Sequence, residues 1–195
     1  MAPHRRLVLA STSPYRRALL ERLGIPFETA APRMDEAALR DETPEATALR
    51  LAVGKARSLR EAFTDALLIG SDQVASSGAE RFDKPGTHEK ALAQLRALSG
   101  KTARFDTAVA LLDSKTDEVQ SRVVACRVTF RPLEERTIEA YLRREKPYDC
   151  AGSAKVEGLG IALIERIETE DPTSLIGLPL IALAEMLAKA GLPVV

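Results

Sequence analysis

Apolar positions along this chain fall in short blocks separated by polar turns. Leu7 to Ala10 is a continuous apolar run of strand length, Ser11 to Pro14 reads as a turn, and Tyr15 to Leu23 as a helix. Leu19, Leu20 and Leu23 share one face of that helix, and Gly24 is its stop. Phe27 to Ala30 predicts a second strand; Pro32 to Thr43 is polar and acidic. Pro44, in first-turn position, opens a helix running to about Phe63. Leu49, Ala52, Val53, Ala56, Leu59 and Phe63 fall on one side of it, with Lys55 at the margin, able to reach a cleft. Ala66 to Gly70, bracketed by Asp65 and Ser71-Asp72, predicts a buried central strand whose C-terminal end delivers Asp72. Open α/β sheets bind ligands at that end.

Beyond an irregular Ser76 to Gly86, a helix is predicted from His88 to Leu98, closed by Gly100. Arg104 to Leu112 and Val119 to Phe130 alternate as two strands of a long hairpin around Asp113 to Asp117. Glu134 to Glu145 is helical, Cys150 to Gly160 a glycine-bearing loop, Ile161 to Ile167 a strand and Leu178 to Ala190 a final helix. The fold class is therefore α/β: a mixed twisted sheet with flanking helices. The 195 residues suit one domain, or two closely packed lobes, with no repeat, low-complexity tract or linker.

Composition narrows the partners. With 28 Lys+Arg against 28 Asp+Glu the net charge is zero, so nothing global draws the chain to nucleic acid or anionic lipid. The longest stretch free of charged residues, Pro172 to Ala184, holds two prolines and falls short of the roughly 18 apolar residues of a membrane span. The run Leu7 to Ala10 is too short for a secretory core. Two cysteines, Cys126 and Cys150, and two histidines, His4 and His88, lack zinc or disulfide spacing. A reducing compartment follows, and the cytoplasm is the expected location. His4 in the terminal tail and His88 near a helix start give no support for a Ser-His-Asp triad.

Four segments carry candidate chemistry. Ala10 to Arg17 places hydroxyls, backbone N–H groups and two guanidiniums at a helix N-terminus directly after a strand, a place suited to phosphate. It reads equally as Ser13 capping a helix with Pro14 at its first position. Gly-Lys-Ser/Thr spacing is missing, so it is no Walker loop. Asp35-Glu36 and Asp72 are carboxylates of the kind that hold Mg²⁺ or take a proton from attacking water; as loop acids, Asp35-Glu36 read also as solvated side chains. Lys84 before Pro85 presents a charge on a restrained backbone, or marks a surface turn. The Cys150 to Gly160 loop lets backbone approach a ligand and offers Glu157, although a structural bulge explains its glycines as well. Cys126 alternates with apolar neighbours and reads as core; core is also the expectation for Phe130, Tyr141 and Tyr148.

In order along the chain, LVLASTSPYRRALLERLG, the Asp35-Glu36 loop, LRLAVGKA, LIGSDQV, Lys84-Pro85, CAGSAKVEGLGI and DPTSLIGLPLIAL resemble the Maf family of nucleoside triphosphate pyrophosphatases, and within it the branch acting on 7-methyl-GTP. The resemblance implies a single Maf-like domain over 1–195, with two lobes around a central cleft as in the ITPase-like fold. It implies metal-dependent hydrolysis between the α- and β-phosphates, clearing modified nucleotides, with Mg²⁺ or Mn²⁺ as cofactor. Carried over by position, Asp72 matches the proton acceptor, and Ser11, Arg16, Glu36, Lys55 and Lys84 match other polar cleft positions. Ser11, Ser13 and Arg16 would then bind phosphate, Glu36, Lys55 and Lys84 would join Asp72 in catalysis, and Glu36 with Asp72 would hold the metal.

Tyr15, Gln73 and Glu157 depart from the dTTP/UTP-hydrolysing pattern, which has arginine, threonine and glutamine there. Tyr15 would stack on the cationic methylated base, and Glu157 would accept from the guanine N1–H and N2 amino groups. Asp83 replaces the usual glycine before Lys-Pro and adds a negative charge beside Lys84. The expected partner is a nucleoside triphosphate, without nucleic acid or membrane; a homodimer is entertained. The competing readings are a pyrophosphatase for dTTP, UTP or another modified nucleotide, and a non-catalytic nucleotide-binding regulator linked to cell division.

Overall fold

The computed structural model describes residues 5–37 and 39–195; His4 lies outside them. The elements are β1 (Arg6–Ala10), α1 (Pro14–Glu21), β2 (Glu28–Ala30), α2 (Pro44–Arg57), β3 (Ala66–Ser77), β4 (Glu80–Arg81), α3 (His88–Leu98), β5 (Thr102–Asp113), β6 (Val119–Phe130), α4 (Glu135–Glu145), β7 (Ile164–Thr169) and α5 (Leu180–Lys189). Three helices begin as their sequences dictate. Ser13, Thr43 and Thr87 each accept a bond from the backbone N–H three residues on, and prolines fill the first position of α1 and α2.

Several elements differ from the sequence expectation. The helix expected to reach Phe63 stops at Arg57, where Ser58 caps it and donates its hydroxyl to the Lys55 carbonyl; Leu59 and Phe63 belong to the turns that follow. The strand expected to end at Gly70 runs on to Ser77, because backbone pairing to neighbouring strands outlasts the apolar run. β4, two residues that pair with β3 through Ser76–Arg81, carried no apolar signal. The last strand starts at Ile164, since a 3₁₀ turn takes up Leu159–Leu163.

The sheet is mixed, in the order β2-β1-β3-β5-β6-β7 with β4 on β3; β1 runs parallel to β2 and β3, while β7 is antiparallel to β6. The chain divides into two compact units. The first gathers the described residues up to Gln73 with Thr107–Val124 and Asp171–Val195; the second is Val74–Asp106 with Ala125–Glu170. In the first unit strand alternation sorts the core into two faces. Leu7, Leu9, Leu67 and Ile69 pack with Leu19, Leu20 and Leu183 of α1 and α5, while Val8, Ala10, Ala66 and Leu68 pack with Ala56 of α2 and Leu59. In the second unit α3 packs on α4, and Cys126, Phe130 and Tyr141 are buried as expected, with Tyr148 half-buried. Burial pushes the Cys126 thiol up to about 11. Among the described residues no helix is long and apolar enough to cross a membrane.

Candidate functional site

The alternation that sorts the core also aims the polar residues of β3. Positions 66, 68, 70 and 72 share the face that meets α2, and 71 and 73 share the other. Asp72 therefore points at the helix carrying Lys55. The Lys55 ammonium lies 2.7 Å from Asp72 Oδ1 and 2.7 Å from Glu36 Oε2, with its own side chain only 6% exposed. Lys55 is thus not marginal to the buried face of α2 but part of it, together with Ala48, Leu51, Ala52 and Ala56. The small alanines let the helix approach β3, and Gly70 completes the fit. A Cβ there would stand 2.0 Å from the Ala52 carbonyl oxygen and 2.8 Å from the Ala56 nitrogen, so only glycine admits this backbone contact.

Glu36 comes from the acidic segment between β2 and α2, which is tied down on both sides. Asp35 accepts from the Ala37 N–H at 2.9 Å, so its carboxylate serves the loop's own turn. Ser58 accepts from the Arg33 N–H at 3.1 Å. Arg50 holds both carboxylate oxygens of Glu42 at 2.8 Å and donates to the Ala37 carbonyl at 3.1 Å. That fork holds the Glu42 carboxyl down at about 2. Arg50 and Glu42 are supporting residues that the sequence reading missed; a charged pair eight positions apart across a helix start gives no periodic signal.

The turn after β1 supplies the third part. The register that sets Leu9 opposite Ile69 carries the chain to buried Ser11 beside the Ser71–Asp72 stretch. Ser11 Oγ accepts from the Ser13 N–H at 3.1 Å, and Ser13 caps α1. Arg16 donates from Nε to the Gly177 carbonyl at 2.8 Å, which fixes the guanidinium plane. Burial lowers its pKa, while the nearby charges of Asp72 and Glu36 pull it up. Arg16, Glu36, Lys55 and Asp72 thus form one electrostatic cluster of two cations and two anions.

On the opposite face of β3, Ser71 donates within range of the Ala108 and Gly177 carbonyls, at 2.7 and 2.9 Å. The Gln73 amide nitrogen donates to Thr107 Oγ1, Ser174 O and Leu175 O at 2.9, 3.0 and 3.1 Å. Its donors hold the loop before α5. The same loop is folded around Asp171, 1% exposed, whose carboxylate accepts from the Thr173 N–H, the Thr173 hydroxyl and the Ile181 N–H at 2.9, 2.6 and 2.8 Å. Asp171 thereby serves the first turn of α5, where a negative charge is favoured. Gly177 has φ +119, a region that L side chains avoid. Gly177→Ala is expected to cost about 1–3 kcal/mol of stability in urea unfolding, because the strained backbone must move the carbonyl that Arg16 and Ser71 share. An unchanged midpoint would show that the loop relaxes freely.

The second unit carries Lys84 and Glu157. Lys84 is exposed on a backbone fixed at both sides: the Phe82 N–H donates to Ala75 O and the Gly86 N–H to Tyr148 O, each at 2.9 Å. Glu157 is exposed in a loop organised by two buried or half-buried neighbours. Tyr141 accepts from the Lys155 N–H at 2.9 Å, and Glu145 accepts from the Leu159 N–H at 2.7 Å and pairs with Lys155 Nζ at 3.1 Å. Tyr15 is half-buried near the start of α1.

A mixed α/β sheet with a hydroxyl-bearing strand-to-helix turn, and with a buried lysine clasped by two carboxylates next to it, defines a protein equipped to hold an anion beside an acid–base pair. The sequence matches the family described as Maf-like protein over residues 6–190, and the chain belongs to that family. It is 58% identical over 96% of its length to a 7-methyl-GTP pyrophosphatase of Thiobacillus denitrificans, covering 94% of that protein. It is 55% identical over 98% of its length to one of Cupriavidus pinatubonensis, covering 96% of that protein. A HAM1 protein structure from Coxiella burnetii aligns over 65% of this chain and 73% of that one, at 16% identity and a TM-score of 0.43, too remote to add to the assignment.

Proposed function

We propose that this chain hydrolyses 7-methyl-GTP to 7-methyl-GMP and diphosphate. The observation that carries the reaction is the Lys55 ammonium at 2.7 Å from both Asp72 and Glu36. With Oδ1 held by Lys55, Asp72 presents Oδ2 to a water molecule. That water attacks the α-phosphorus, its proton passes to Asp72, and the bond from the α-phosphorus to the bridging oxygen breaks as diphosphate leaves. Arg16, Ser11 and Ser13 bind phosphate oxygens at the start of α1, and the family resemblance alone names Lys84 as a further cation.

A divalent cation would be held by Glu36, which directs one oxygen at Lys55 and keeps a second, together with substrate phosphate oxygens and water, leaving Asp72 Oδ2 as the base. Bound there, Mg²⁺ or Mn²⁺ would neutralise charge on the triphosphate, which the balanced side-chain charges of the cluster do not.

The base preference is supported by the 55–58% identity to proteins named for 7-methyl-GTP and by Tyr15 and Glu157. The family resemblance gives Tyr15 a ring for the cationic base and Glu157 a carboxylate for its N1–H and N2 donors. Gln73 contributes through the loop its amide holds. The test is a product assay on 7-methyl-GTP, GTP, dTTP, UTP, CTP and ATP with Mg²⁺ or Mn²⁺. The wild type is expected to prefer 7-methyl-GTP, and Glu157→Gln to lower kcat/KM for it by about tenfold to a hundredfold while leaving UTP turnover within about twofold. Equal losses on all nucleotides, or none, would remove Glu157 from base selection.

A further inference from the structure

We infer that Gln94 is a positioning residue for Lys84, its side-chain amide aimed by the Ser153 hydroxyl at the carbonyl of Asp83. The inference rests on the proposed role of Lys84 at the triphosphate. Gln94 lies half-buried on α3, in the same compact unit as Lys84 and Ser153. Its Nε2 donates to the Asp83 carbonyl at 2.8 Å, and its Oε1 accepts from the Ser153 hydroxyl at 2.6 Å. The pairing fixes which way the amide faces, because the Asp83 carbonyl can only accept and so takes the nitrogen end.

The Asp83 carbonyl belongs to the peptide plane that carries the Lys84 nitrogen, so holding it sets the direction in which the exposed Lys84 side chain leaves the backbone. The rest of the segment is fixed on either side of that plane. The Phe82 N–H donates to Ala75 O and the Gly86 N–H to Tyr148 O, each at 2.9 Å, and Pro85 is buried. At the other end of the amide, Ser153 is fully buried with φ +57, following Gly152 at φ +69. Glycine adopts this left-handed conformation freely and serine does not, so its surroundings must hold Ser153 there. A Cβ at 152 would stand 3.3 Å from Phe105 Cζ and 3.8 Å from Leu98 Cδ1, so the turn lies close against α3 and brings the Ser153 hydroxyl to Gln94. Neither a thioether nor a carboxylate reproduces the arrangement. Methionine has no donor for Asp83, and glutamate accepts from Ser153 but turns a second acceptor toward the Asp83 carbonyl.

Steady-state hydrolysis of 7-methyl-GTP tests it, comparing wild type with Lys84→Met, Gln94→Met and the two combined. Lys84→Met is expected to lower kcat/KM about a hundredfold, and Gln94→Met about tenfold. In the Lys84→Met background the further cost of Gln94→Met should fall below about twofold, because a residue that acts through Lys84 has nothing left to position. A merely structural role would instead multiply the two losses. Matching thermal midpoints confirm intact folding, and Gln94→Glu removes the same donor with the Ser153 bond kept, so it repeats the cycle should the methionine variant fold poorly. Amide exchange is the second readout: either Gln94 variant should speed exchange at Gly86 about tenfold, while Leu95 and Leu98 of α3 keep their rates. Multiplying losses, or Gly86 exchange unchanged, overturns the inference and leaves the reaction standing. Full activity in Lys84→Met removes Lys84 from the site and the inference with it. A wild type inert on every nucleotide fails the reaction itself, and the Gly86 exchange rate then decides by itself whether Gln94 holds the Lys84 segment.

Discussion

Asp72→Asn is expected to lower turnover of 7-methyl-GTP by about a thousandfold or more, with nucleotide affinity changed little. The carboxamide has the shape of the carboxylate but cannot take a proton from water. Lys55 still has Glu36 at 2.7 Å, so its ammonium is not left without a counter-charge. The expected stability cost is therefore modest, about 1–3 kcal/mol for one charged hydrogen bond. Diphosphate release measured beside equilibrium binding of the substrate separates the two effects. Full activity in the variant would sink the assignment of Asp72 as base, and lost binding would make it a ligand-holding residue instead.

The largest loss of stability is expected from Gly70→Ala, a single methyl group far smaller than most core changes. Its Cβ would sit 2.0 Å from the Ala52 carbonyl oxygen, and backbone on both sides leaves no flexible side chain to yield. α2 must lift from β3, at a cost of about 3–5 kcal/mol, at the upper end for an overpacked core position. Because Lys55 precedes Ala56 on the displaced surface, the folded fraction should also lose the 2.7 Å contact to Asp72 and with it turnover. Urea unfolding together with diphosphate release checks this. A stability loss under about 1 kcal/mol with turnover intact would mean that the helix does not need to lie so close.

Part of the candidate site was legible before the structure. Asp72, Glu36, Lys55 and Arg16 were each named from motif positions, and the structure gathers them into one cluster. Ser13 caps α1, as one of its two readings expects, and its phosphate reading belongs to the proposal. Other parts were not legible. Gly70 read as one more small residue in an apolar run, because its meaning lies in a backbone nearly twenty positions earlier in the chain. Gln73 was expected among the specificity positions by resemblance; strand alternation sends it to the face opposite Asp72, where it holds Ser174 and Leu175. Asp171 was part of a matched segment without a role, and only the fold shows three donors converging on it.

By itself the sequence determined the local elements and the family. The cap at Ser13, the prolines that open α1 and α2, the apolar runs at β1 and β3, and ordered motifs from Leu7 to Leu183 are properties of neighbouring residues, and they survive in any reading of the chain. Tertiary structure decided where elements stop and which side chains meet. Apolar periodicity marks what a segment wants to bury but not how near its partner comes. The length of β3 depends on strands that pair with it, the end of α2 on a serine that takes up its last carbonyl, and the Lys55–Asp72–Glu36 clasp on a glycine that lets two backbones touch.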